Sequence, residues 1–185
     1  MEQNYISNDV FEQIKDFNHR ERELTEEQKL LIDELIPNEE LKQRYIDHGL
    51  CKGCKQPNTN NNSALNYVWC QPCNSKRFQQ NFKNWTSGNS DVDKLIQESQ
   101  LNAKNGNEFL EWIEYDRFEN IEYITKGGFG KVYKAIWKDG YIRNWDYETN
   151  QCRRYGNKLV ALKCLNNSKD ITWEFLNEVI LQMII

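Results

Sequence analysis

Thr125-Lys126-Gly127-Gly128-Phe129-Gly130-Lys131-Val132, followed by Val160-Ala161-Leu162-Lys163 and by Glu178 in the apolar run from Trp173 to Leu181, is the series on which the reading of this chain turns. Glycines at 127, 128 and 130 tolerate positive φ, and without a Cβ they let backbone N–H groups come up against phosphate oxygens. The flanking stretches, Phe118 to Ile124 and Val132 to Trp137, have the β-branched and aromatic composition of strands. Residues two apart in a strand share a face, so Ala161 and Lys163 point to one side and Val160 and Leu162 to the other. Glu178 lies fifteen residues after Lys163, which leaves room for a loop over 166–170 and two turns of helix on which Glu174 and Glu178 share a face. The long connection from Lys138 to Lys158, with turn candidates at Asp139-Gly140 and at Glu148-Thr149-Asn150-Gln151, predicts an extra hairpin.

Upstream, Cys51-Lys52-Gly53-Cys54 and Cys70-Gln71-Pro72-Cys73 form two C-x2-C pairs separated by fifteen residues. That spacing points to zinc, with four thiolates closing a tetrahedron that leaves no open position, hence a structural site. Gly53 is expected to relieve strain in the first knuckle and Pro72 to stiffen the second. Pro57 to Ser63 reads as a loop and Asn66 to Trp69 as a short strand. A helix expected over Asn74 to Trp85 places Phe78, Phe82 and Trp85 on one face as core, leaving Lys76, Arg77 and Lys83 as solvated charges. The basic, aromatic-interleaved ribbon is therefore read against a nucleic-acid surface, although its composition would suit one.

The first 41 residues are acidic, with four Lys/Arg against twelve Asp/Glu, whereas residues 42–86 carry seven Lys/Arg against Asp47 alone. Such blocks suggest separate modules, and a formal net charge of −4 conceals them. Thr25-Glu26-Glu27-Gln28 fits a capping box, ahead of an apolar face made by Leu30, Leu31, Ile32 and Leu35. Asn38 caps a second helix that ends near Gly49, with Leu41, Tyr45 and Ile46 as its expected buried side. A docking or packing hairpin is the expected role of these helices. After a turn at Ser87 to Ser90, a helix over Asp91 to Lys104 with Val92, Leu95, Ile96 and Leu101 inward precedes a helical turn over Glu108 to Ile113. A mean hydropathy of −0.88, and the absence of an apolar run long enough to span a bilayer, exclude a membrane-protein composition. Met1 to Tyr5 offers neither a basic start nor an apolar h-region, so an intracellular, cytoplasmic location is expected, with reduced cysteines.

In order and spacing, the glycine-rich turn, the Val-Ala-Leu-Lys strand and the helix glutamate resemble the N-terminal lobe of the eukaryotic protein kinase family, over residues 116–185. The helices and four-cysteine ribbon ahead of Trp112 to Phe118 are similar to those of fungal kinase-like proteins. The resemblance implies an α+β fold: a helical region over 1–50, a zinc-ribbon-like module over 51–86, a helical linker over 87–115 and a truncated kinase lobe of antiparallel sheet plus helix over 116–185. It implies ATP held by Gly127, Gly128 and Gly130, with Val132 and Ala161 against the adenine. Lys163 would then lie on the α- and β-phosphates, positioned by Glu178. Thr125 stands where the family has its first glycine and adds a β-carbon beside the phosphate path. No His-Arg-Asp, Asp-Phe-Gly or Ala-Pro-Glu motif occurs, so the magnesium ligands and the catalytic base are absent from this sequence and the chain alone is expected to be inactive. Three readings stay open: part of an active kinase acting on protein hydroxyls, a nucleotide-binding pseudokinase, and a zinc-ribbon interaction protein that docks other proteins.

Overall fold

The computed structural model describes residues 4–17, 23–62, 67–128 and 130–165, and the fold is α+β. Glu174, Glu178 and the apolar run around them lie outside the described residues. The chain divides into two compact units. The first comprises Met1–Phe82, Gln97–Leu110 and Tyr147–Thr149, and the second Lys83–Ile96, Glu111–Asp146 and Asn150–Ile185.

In the first unit, helices α1 (Asn8–Ile14), α2 (Glu26–Leu35) and α3 (Glu39–His48) surround one apolar core. Each begins on a side chain that accepts a backbone N–H: Ser7 from Val10, Thr25 from Gln28 and Asn38 from Leu41. At α2 the Gln28 side chain also accepts from the Thr25 N–H at 3.0 Å, which completes the expected capping box. Ile6, Ile14, Ile32, Ile36, Leu41 and Tyr45 form the buried cluster, and the Tyr45 hydroxyl donates to the Ile14 carbonyl at 2.9 Å. Burial alone raises the Tyr45 phenol above its ordinary range, so it acts there as a donor. Two expected core residues are corrected. Leu30 is 69% exposed, because the buried stripe of α2 runs through Ile32 instead, and Ile46 is exposed beside buried Tyr45. Helix α1 was not anticipated by the sequence reading, although it supplies Ile14 to this core.

Strands β1 (Asn60–Asn62) and β2 (Tyr67–Trp69) pair antiparallel, so the asparagine-rich stretch is partly strand rather than loop. Helix α4 (Gln71–Asn81) starts three residues earlier than expected, and a 3-10 turn follows at Phe82–Asn84. Pro72 explains the early start, since a proline in the first helical turn sacrifices only an N–H that would lack a helical partner anyway. No residue of α4 is fully buried, so its aromatic face is only half covered. Helix α5 spans Ser90–Asn102. The helical turn expected at Glu108 to Ile113 is not formed, and a 3-10 turn appears instead at Tyr115–Arg117.

The second unit holds β3 (Phe118–Gly127), β4 (Gly130–Trp137) and β7 (Lys158–Leu165), antiparallel in the order β3-β4-β7. The expected extra hairpin is present as β5 (Ile142–Asp146) and β6 (Gln151–Arg154). Its base is held by Arg154, which grips both carboxylate oxygens of Glu111 at 2.6 and 2.7 Å, donates to the Gly140 carbonyl and lies over the Trp137 ring. Burial raises the Glu111 carboxyl, and the Arg154 guanidinium partly opposes that rise. Gly140 sits at φ 63°, and a Cβ there would lie 1.6 Å from the Tyr155 carbonyl oxygen, so no other residue fits this turn. Among the described residues, no helix is long and apolar enough to cross a membrane.

Candidate functional site

The Cys51, Cys54, Cys70 and Cys73 sulfurs all lie within 4.8 Å of one another. Two features of local folding bring them there. Helix α3 ends at Gly49 (φ 64°), and the chain turns back so that the Cys51 N–H bonds the Gln56 carbonyl and the Lys55 N–H the Cys51 carbonyl, forming the first knuckle. Lys55, at φ 62°, takes the left-handed position in this turn. Buried Asn58 clamps the base through the His48 and Gly49 carbonyls at 3.1 and 3.0 Å. The second pair sits on a helix start: Cys70 is the residue preceding α4 and Cys73 lies in its first turn, where unpaired N–H groups favour a thiolate. Trp69, 1% exposed, anchors that start by donating its indole N–H to the Ala103 carbonyl at 3.0 Å and stacking on Phe109.

The sulfurs of Cys51 and Cys73 are 3.7 Å apart and those of Cys54 and Cys70 3.5 Å apart. A disulfide needs about 2.05 Å, whereas a tetrahedron with metal–sulfur bonds of about 2.3 Å has edges of roughly 3.8 Å. The cluster therefore fits a metal ion and not cross-links. Four sulfurs this close cannot all be anionic unless a cation sits among them. Hydrogen bonding from Cys54 and then Cys70 holds the Cys51 thiol far below its usual range. Cys70, hydrogen-bonded to Cys51 and Cys54, is pushed far up, and burial pushes Cys73 up to about 12. Cys152 and Cys164 are exposed and lie outside the cluster.

One contact escapes the spacing of the cysteines. The Tyr147 hydroxyl lies 3.4 Å from the Cys51 sulfur, and the Arg77 guanidinium sits over the Tyr147 ring at 5.0 Å. Gly53 does not relieve a strained φ as expected. It leaves room: a Cβ there would meet the Tyr147 ring at 2.9 Å and the Cys73 sulfur at 3.4 Å. Nothing in local sequence announces Tyr147, which follows Cys51 by 96 residues.

In the second unit, β3 and β4 join through the glycine-rich turn with Gly127 opposite Gly130, and Thr125 faces Val132 across the pair. On the other side of β4, Val132 is opposite Lys163 and Lys134 opposite Ala161. Directly opposed residues share a face, so Thr125, Val132, Lys134, Ala161 and Lys163 lie on one side of the sheet. Tyr133, Ala135 and Trp137 lie on the other, where Ala135 and Trp137 are buried. Ala161 and Lys163 are exposed while Val160 and Leu162 are half-buried, so the two faces differ in cover. Lys134 pairs with Glu122 at 2.9 Å near Ala161. Among the described residues, a Cβ on Gly127 or Gly128 would meet nothing within 4 Å.

No protein-family model, curated protein or solved structure matches this chain.

Proposed function

We propose that the four-cysteine cluster holds one structural zinc ion, and that the three-stranded sheet is a nucleotide-gripping domain of the protein-kinase type. The zinc reading is supported by the donor set: four sulfurs within 4.8 Å of one another, two of them at a helix start, and no fifth ligand in the cluster among the described residues. Zinc without an open position supplies folding free energy rather than chemistry. Elemental analysis of purified protein should find one zinc per chain, reduced to none in Cys70→Ser; no zinc in the wild type defeats this half of the proposal.

The nucleotide reading is carried by one observation, the β4–β7 register that sets Lys163 opposite Val132 beside the glycine-rich turn between β3 and β4. The glycine N–H groups would meet phosphate oxygens, Val132 and Ala161 would pack on the base, and Lys163 would neutralise phosphate charge. The sequence holds no residue pattern for the catalytic base or the magnesium ligands, so phosphotransfer is not assigned to these residues. Thr125 at the first glycine position favours a second reading, a weak nucleotide-binding or scaffolding pseudokinase. Titration of ATP into the chain should show weak binding, which Lys163→Met reduces about tenfold or more, as expected when a hydrogen bond to a charged group worth about 1.5–3 kcal/mol is lost. Binding indifferent to this substitution would contradict the placement.

A further inference from the structure

We propose that Tyr147 is a positioning residue of the metal centre, its phenol donating a hydrogen bond to the Cys51 thiolate from the turn between β5 and β6. The inference rests on the zinc reading of the four cysteines and adds a fifth residue to it. Once Cys51 ligates a cation its sulfur carries no proton, so across the 3.4 Å contact only the Tyr147 O–H can donate. The Gly53 N–H points at the same sulfur, also at 3.4 Å. Cys51 therefore receives two donors from outside the cluster, one from its own knuckle and one from 96 residues downstream.

The surroundings keep the phenol in place. Gly53 has no Cβ to push the ring away, and the Arg77 guanidinium, carried by α4 one turn after Cys73, lies over the ring. Arg77 is itself fixed by a bond to the Asn74 side chain at 3.3 Å. Residues Tyr147–Thr149 belong to the same compact unit as the cysteines, although the strands on either side of them do not. Four thiolates around one divalent ion leave the centre with net negative charge. A phenol O–H and a nearby guanidinium offset part of it and draw electron density from one sulfur. Cys51 then becomes a poorer nucleophile than it would be without them.

Cobalt(II) in place of zinc reports on this sulfur directly, since its sulfur-to-metal charge-transfer band moves to lower energy as the thiolate becomes more electron-rich. In the full chain, Tyr147→Phe keeps the ring and removes only the hydroxyl. The variant should still take up one cobalt per chain, with the band at lower energy and with Cys51 in the zinc-loaded protein alkylated several times faster by iodoacetamide, as mapped by mass spectrometry. Gly53→Ala, which displaces the ring while keeping the hydroxyl, should move both readouts in the same direction. An unchanged band and an unchanged Cys51 rate in a fully metal-loaded Tyr147→Phe protein overturn the role of Tyr147 and leave the zinc reading intact. Failure of the wild type to bind either metal overturns both.

Discussion

The four-cysteine cluster and the glycine-rich sheet are both candidate binding sites, but they are built on opposite plans. The cluster draws its donors from a knuckle and a helix start, supports them on buried Trp69 and Asn58, and offers four thiols to one ion. The sheet offers one face, on which Ala161 and Lys163 are exposed. In the first plan an ion would tie the two knuckles together, so its binding free energy would be folding free energy. In the second the three strands pair with one another without a ligand, which would add to a fold already made. The difference predicts that removing a ligand damages one unit and spares the other.

The largest expected effect is therefore Cys70→Ser. Structural zinc contributes on the order of 10 kcal/mol to small metal-dependent folds at neutral pH, more than most domains hold in reserve. The variant should lose the buried-tryptophan fluorescence signature of Trp69, and full retention of that signature would erase the contrast. Next comes the helical core beside the cluster. Ile32→Ala, at a site 1% exposed, should cost about 2–5 kcal/mol by denaturant titration, whereas Leu30→Ala two positions earlier should stay within about 0.5 kcal/mol. Equal costs would mean that the buried stripe of α2 is misplaced. Thr25→Ala, which breaks the capping box, should cost about 1 kcal/mol in the same titration.

The smallest effect lies in the sheet unit. Hydrogen bonding from Arg117 holds the Asp139 carboxyl below its ordinary value. The folded state then binds its proton less readily than the unfolded chain, so this contribution is complete above the ordinary aspartate range and is lost as pH falls through the depressed value. Asp139→Asn should remove this small contribution at neutral pH, where it is complete, and change nothing well below the depressed value, so the acid limb of the stability profile of that unit becomes slightly shallower. An unchanged acid limb would show that the Arg117 pair is not linked to folding.

What the sequence disclosed divides along the same line. Four cysteines announce themselves by identity and spacing, and the capping box of α2 by residue type three positions apart, because both are local chemistry. The register of β4 against β7 was accessible only as alternation, yet alternation suffices to put Ala161 and Lys163 on one face. The start of α4 differs because Pro72 reads as a stiffener of the second knuckle, although it equally suits a first helical turn. Asn60 to Asn62 read as loop because asparagine favours turns, and only the partner strand Tyr67 to Trp69 extends it. Tyr147 was invisible, since its contact with Cys51 depends on a chain reversal that no nearby residue encodes.

Amide hydrogen exchange on the full chain, with zinc present and after its removal by a chelator, tests the contrast most directly. The account predicts that protection collapses around both knuckles, the start of α4 and Tyr147 to Thr149, while β3, β4 and β7 keep theirs. Protection unchanged around the cysteines, or lost to the same extent in the sheet, would contradict it.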